Sequence, residues 1–515
     1  MAPLELLSSL SQLLTLSNVF LFVLFALLLN FVLGLYEFRG MPPGPRYTRL
    51  PVIGNFMNFD YREEDLRNMT KSLRRAYGGV FAVQAGSFRM VFVTTPKAVK
   101  EVLVTRSADY AGRPPFYSFI DSSLGGKGLA LGNYGPAWRL HRKLFTSSLR
   151  QYLSDIPLFE SRVAEQARKL LKYFEDQQSQ PFDPADKIRQ SVADVICGIT
   201  FGDKFNSTHP AFDSFFRGVV SDMDDPELTA AIGLLDLFSW AQYLPFEAYK
   251  EMRKGNEKAY DVLRMLLDQG KKTYDDTQPA RDLMTALLQE RVKAEAENEE
   301  QKQVLLADDY LLNQLGDMFI AGYETTSTSL RWAITFLVNY PEYQEEIHQQ
   351  LDQVIGPDRM PTLADRPQLA IIQATIMEVL RVGNVADMAL PHYTLKDTLL
   401  CGYRVPKDTV VLVDLMSVHM DPGCWDNPTQ FNPHRHLTDK GELITSQGNF
   451  LPFSAGRRVC AGESLAKVEL FLFLSWMLHK FRFVGEEGKP PPTMEVNSGF
   501  TQSPKKYKIR AIKRN

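Results

Sequence analysis

Four cysteines in 515 residues leave this chain without a disulfide framework, and none belongs to the CxxC pair of a structural zinc site. Cys197, Cys401, Cys424 and Cys460 are scattered, as the reduced thiols of a cytosol-facing body are. Net charge is scarce as well. The chain has 58 basic and 61 acidic side chains, and the resulting −3 lacks the basic excess of a nucleic-acid binder. No G-x-G-x-x-G follows an expected strand, which excludes an NAD-dependent dehydrogenase. Internal repeats and low-complexity tracts are missing too. Between Glu5 and Glu37 there is no charged residue at all.

Within that uncharged stretch the run VFLFVLFALLLNFVLGLY is nearly all apolar, and about twenty such residues in a helix cover the roughly 30 Å bilayer core. A cleaved signal peptide calls for a basic leader and a shorter apolar core. Here the leader is acidic and the run is long, so residues 1–37 are expected to be an uncleaved single-pass anchor in a lipid bilayer. Asn30 inside the span is a small cost. Arg39, Arg46 and Arg49 follow the run and no Lys or Arg precedes it, which places the body on the cytosolic side. The prolines of MPPGPRYTRLP then predict a stiff hinge over residues 38–50, ahead of one globular domain over residues 51–515. The sequons at Asn68 and Asn206 would go unused on a cytosolic body.

In that domain VFAVQAGSFRMVFVT alternates around a Gly-Ser turn and predicts a hairpin, Val80–Gln84 with Arg89–Val93. Helical periodicity dominates from there to about residue 385. The charged segment Arg291–Gln303 reads as a solvated loop or helix end. One very long helix runs up to Pro341, and its middle, Phe319–Ser329, is rich in small and hydroxyl residues that can loosen the helical ladder. β patterning returns in YTLKDTLLCGYRVPKDTVVLVDL, and a buried helix spans Glu463–Lys480. The fold class is α+β, mainly helical.

Cys460 sits in FSAGRRVCAG, between Gly456 and Gly462 and just before that last helix. Glycines let a backbone approach something flat and bulky, and a helix N-terminus favours thiolate over thiol. A lone cysteine is ordinarily structural. A thiolate in such a loop, however, is what a haem iron needs as axial ligand if it is to cleave an O–O bond.

The frame F-x-x-G-x-R-x-C-x-G, here Phe453, Gly456, Arg458, Cys460 and Gly462, resembles the haem-binding loop of the cytochrome P450 superfamily. The resemblance implies haem b with Cys460 on the iron, and it covers nearly the whole chain. Glu378 and Arg381 in EVLR, with Arg435 in FNPHR, match the family's structural ion-pair triad. His436 stands where an aromatic residue commonly follows. Glu324 and Thr325 in AGYETT match the acid–threonine pair that faces dioxygen and delivers protons to it. Arg113, Trp138, Arg142, His392 and Arg458 match the groups that hold the haem propionates, a task that suits the planar fork of arginine. AGYETTSTSLRW and GNYGPAWRLHRKLF look like the animal microsomal clan, which contains drug-metabolising enzymes and steroid 17-alpha-hydroxylases.

The resemblance therefore implies a P450 fold and a monooxygenase at the endoplasmic reticulum membrane. Its electrons would come from NADPH through NADPH-cytochrome P450 reductase, and its substrate would be small and lipophilic, either steroid-like or a planar xenobiotic. Basic Lys143 and Arg457 could sit on the face that meets an acidic electron donor, while either one alone reads as solvated surface charge. Pocket candidates are Phe119, Phe319, Ala321, Asp387, Met388 and Phe500. Asp387 is unusually polar for the segment that covers the substrate, and Asn384 replaces a common proline. The alternatives are a haem-thiolate isomerase or dehydrase, against which Glu324 and Thr325 argue, and a non-catalytic membrane haem carrier, for which no signalling output is visible.

Overall fold

A computed structural model describes residues 16–45, 53–55, 66–224, 226–297, 299–499 and 501–514. The body is mainly helical, with the expected hairpin at one side. Strands β1 (Val80–Ala85) and β2 (Phe88–Val93) pair antiparallel, Val80 opposite Val93. With β3 (His392–Tyr393) and β4 (Val410–Val413) they form a sheet in the order β1-β2-β4-β3, in which β2 and β4 run parallel. All four residues of β4 are buried, as its unbroken apolar run requires.

The long helix, Asp308–Asn339, is the axis of the helical core. It starts on Asp308 and Asp309, which favour a helix N-terminus, and ends where Pro341 begins the next helix. Helix Ala185–Phe201 lies along it, and the buried helix Glu463–Lys480 crosses behind it. The small and hydroxyl residues at its centre do not break it. Their hydroxyls bond back to carbonyls one turn earlier, Thr325 to Ala321 at 2.7 Å and Ser329 to Thr325 at 2.7 Å. The charged segment near residue 291 is more ordered than expected. A helix runs to Ala296 and a second, Glu300–Leu305, follows.

The first helix, Leu16–Glu37, has 22 residues and leaves Phe20, Phe22, Phe25 and Val32 exposed. Among the described residues no helix is long and apolar enough to cross a membrane. The start of the expected hinge is no free connector. Phe38 and Met41 are buried, Ala82 donates its N–H to Pro43 at 2.8 Å, and Arg404 donates to Gly40 at 2.8 Å. Apolar burial and backbone pairing weld residues 38–45 to the edge of the sheet, and residues 46–50 lie outside the described residues.

Helix Ala370–Val382 carries a buried charge network. Arg381 grips both oxygens of Glu378 at 2.8 Å, and Arg435 donates to the same carboxylate at 2.9 Å. Arg381 also donates to the carbonyls of His419 and Pro428, each at 2.7 Å, which pins the meander between them. His436, standing where an aromatic residue is common, joins this network. It is fully buried, 3.0 Å from Glu378 and 2.8 Å from Gln447. Burial, the largest influence, raises the Glu378 pKa, yet the bonds from Arg381 and His436 hold it down to about 2.

A carboxyl lowered in the folded state stabilises the fold above its ordinary unfolded pKa, and loses that contribution as pH falls through its folded value. Glu378 therefore contributes fully above about pH 5 and progressively less towards pH 2. His436→Phe, which removes one donor to this buried charge, should lower unfolding stability by about 1–3 kcal/mol at pH 7. Urea denaturation followed by circular dichroism checks this, and an unchanged midpoint would reduce His436 to a space-filling role.

Candidate haem-thiolate site

The cysteine loop is built around one close approach. Gly456 has φ +71°, and a Cβ there would lie 1.6 Å from the carbonyl oxygen of Leu103. That oxygen belongs to a π-helical turn, Glu101–Thr105, which packs directly under the loop. Only glycine satisfies both demands. The loop turns through Gly456–Arg458 and closes with the Cys460 N–H donating to Phe453 at 2.9 Å. Cys460 keeps an exposed face just ahead of the helix that opens at Glu463. Desolvation raises its pKa, and hydrogen bonds from the Gly462 and Glu463 N–H groups, together with the Arg142 charge, partly oppose that rise.

Three arginines surround this loop, and carbonyls fix each of them. Arg458 donates to Ala111 at 2.8 Å, Leu129 at 3.2 Å and Gly132 at 2.8 Å, with its guanidinium 4.3 Å above the Trp138 ring. Arg113, which is buried, donates to Ala130 at 2.8 Å and Pro391 at 3.0 Å. Arg142 donates to Val459 at 2.7 Å. Among the described residues none of the three is ion-paired with a carboxylate. The strain is visible in Arg458, whose pKa falls to about 8 through burial and then repulsion from Arg113 and Arg142.

This donor set fits haem. Two propionate carboxylates would neutralise the trapped positive charge, and each guanidinium has N–H groups beyond those its carbonyls use. His392 joins the cluster in a different form from the expected cation. Burial, then Arg113 and Arg458, push its pKa down to about 3. Its Nδ1 lies 2.8 Å from the Tyr110 carbonyl, which can only accept, so Nδ1 carries the proton.

Asp317 was not anticipated, although an acid within LGDMFIAG is a visible anomaly. Its Oδ2 accepts from the N–H groups of Leu129 at 2.5 Å and Ala130 at 3.2 Å. It therefore fixes the loop whose carbonyls orient Arg113, Trp138 and Arg458. Burial pushes its pKa up to about 6.

On the long helix Ala321 is exposed and Thr325 half-buried, while Glu324 is buried. One Glu324 oxygen accepts from Thr328 at 3.1 Å and Thr501 at 2.9 Å, so the C-terminal hairpin contributes a hydroxyl that sequence reasoning missed. Among the pocket candidates, Phe119 and Met388 share one apolar cluster with Phe116. Phe319 is a core residue instead, fully buried against Phe215 and Tyr323. Asp387 is half-buried and accepts from its neighbour Met388 at 3.0 Å and from Gln502 at 3.2 Å. Phe500 lies outside the described residues. Asn384 has φ +37°, which proline cannot adopt, so this chain takes its own path into the substrate-covering segment.

The family model for Cytochrome P450 matches residues 42–511. Steroid 17-alpha-hydroxylase/17,20 lyase of Gallus gallus is 34% identical over 467 residues, 90% of each chain. Cytochrome P450 2U1 of Homo sapiens is 32% identical over 499 residues, 92% of this chain and 90% of that one. A zebra fish cytochrome P450 structure with progesterone superposes with a TM-score of 0.77 at 31% identity, covering 87% of this chain and 100% of the other.

The uncompensated charge generates a test. Arg458→Leu should speed haem transfer to apomyoglobin roughly tenfold or more, since a charge-assisted hydrogen bond is worth about 1.5–3 kcal/mol. The same change removes repulsion in haem-free protein, whose urea midpoint should stay level or rise. Unaltered haem transfer would take Arg458 out of the site.

Proposed function

Because this chain belongs to the cytochrome P450 family, and is thus a haem b monooxygenase, we propose that it hydroxylates a steroid-like substrate with electrons from NADPH. Each turnover joins R–H, O2, two electrons and two protons into R–OH and water. NADPH-cytochrome P450 reductase would deliver the electrons, and exposed Lys143 and Arg457 are suited to meet it. Haem held by a thiolate supplies oxygen activation.

The chain's residues supply the surroundings for that chemistry. Cys460 would ligate the iron, and Arg113, Arg142 and Arg458 would bind the propionates. Trp138 braces Arg458 from below. Thr325 would hold a proton at its hydroxyl on the exposed side of the long helix, and Glu324 would replenish it. The observation that carries this reading is the pairing of a buried carboxylate, anchored by two hydroxyls, with a half-buried threonine one residue on. A peroxide isomerase has no use for such a proton donor.

The steroid assignment is supported by the named relatives and by the progesterone-containing neighbour. The apolar cluster of Phe119, Phe116 and Met388 suits a rigid apolar skeleton. For the helix Leu16–Glu37 we propose membrane anchoring at the endoplasmic reticulum, supported by its exposed Phe, Leu and Val side chains.

Titrating a steroid panel into purified protein should displace the resting iron ligand and shift the Soret band, with micromolar steroid sufficing and polar metabolites inert. A panel without any shift would send the search to other lipophiles. Thr325→Ala should keep haem and NADPH consumption yet release more peroxide per product, and equal coupling would remove Thr325 from proton delivery. Deleting residues 1–37, while leaving buried Phe38 in place, should free much of the protein from membranes with haem retained. Undiminished membrane binding would refute the anchor.

A further inference from the structure

Glu324, Thr328 and Arg331 lie at i, i+4 and i+7 of the long helix and so share one face, which the C-terminal hairpin covers. Glu324 is 6% exposed and Arg331 4%. Each presents polar atoms that no group among the described residues meets. Among those residues Oε2 of Glu324 has no hydrogen-bond partner, and neither has Nε or Nη1 of Arg331. The Arg331 guanidinium makes a single hydrogen bond among the described residues, from Nη2 to the Pro504 carbonyl at 3.2 Å. The two groups form no ion pair with each other. Seven residues of helix separate their backbones by about 10 Å, and the Glu324 carboxylate is tied to Thr328 and Thr501.

Burying a carboxylate oxygen and a guanidinium edge without partners is costly, and ordered water is the usual remedy in a polar site. We propose that Arg331 is a positioning residue for proton delivery: it and Glu324 hold ordered water between them, and this buried polar line passes solvent protons to Oε2 of Glu324. The inference rests on the monooxygenase reading above and extends it beyond the acid–threonine pair. The solvent end of the line is assigned to Asp183. Arg189 and Asp183 both act on the charge of Arg331, and Asp183 is exposed. A proton entering there moves along water to Glu324 and on towards the Thr325 hydroxyl. The Arg331 guanidinium stays protonated throughout and serves to orient the water.

Arg331→Met removes the water-holding edge while keeping an apolar stem of similar length. With NADPH and reductase, product formed per NADPH should fall about threefold or more, and peroxide release should rise to match. Turnover driven by cumene hydroperoxide, which brings activated oxygen without a solvent proton relay, should stay within about twofold of the parent. A parallel fall in both reactions would show a damaged pocket and overturn the proposal, as would unchanged coupling. If Arg331→Met does not fold, Arg331→Lys decides: a smaller loss of NADPH coupling supports the proposal and none refutes it. A readout free of turnover separates this idea from the monooxygenase reading. The infrared carboxyl band of Glu324, identified by its loss in Glu324→Gln, should shift in Arg331→Met, and an unshifted band overturns the water line even in a protein that proves inactive.

Discussion

Positive charge without a protein counter-charge is the constraint on which the rest of the site depends. Arg113 and Arg142 come from distant parts of the chain to join Arg458 of the cysteine loop, and backbone carbonyls orient all three. Carbonyls offer dipoles, not charge, so the Arg458 pKa stays depressed, by burial first and then by repulsion from Arg113 and Arg142. A pair of carboxylates brought in with a cofactor would relieve that repulsion. Binding haem and settling the local electrostatics would then be one event.

The fold also contains the opposite arrangement. Glu378 is surrounded by Arg381, Arg435 and His436, each within 3.0 Å, and the network closes on itself. Breaking a buried pair strands a charge at a cost of about 3–5 kcal/mol, which makes such a network rigid. One set of buried charges is satisfied by protein and fixes geometry. The other is left unsatisfied and so selects a ligand. Between them stands Gly456, whose missing side chain lets the cysteine loop rest on the turn that carries Leu103.

Local signals were legible in the sequence and distant ones were not. The hairpin around Gly86, the long helix up to Pro341 and the helix opening at Glu463 follow from periodicity and punctuation within short windows. The cysteine loop is likewise local. By contrast, Thr501 reaches Glu324 from 177 positions away, and Leu129 reaches Asp317 from 188. Nothing near Thr501 or Asp317 marks those partners. At His436 only the missing aromatic was visible, whereas the buried carboxylate it serves lies 58 residues earlier. Phe319 looked like a pocket wall because helix periodicity cannot tell a face packed on protein from a face packed on substrate.

We propose that Cys460, as thiolate, would ligate the iron of a haem whose propionates the arginines hold. The most direct test is the absorption spectrum of the reduced, carbon-monoxide-bound protein, recorded for the parent and for Cys460→Ser side by side. The account predicts a thiolate-type Soret band in the parent and its loss in the variant, because a neutral hydroxyl is a poor ligand without electron push. A parent without that band, or a variant that keeps it, would contradict the account.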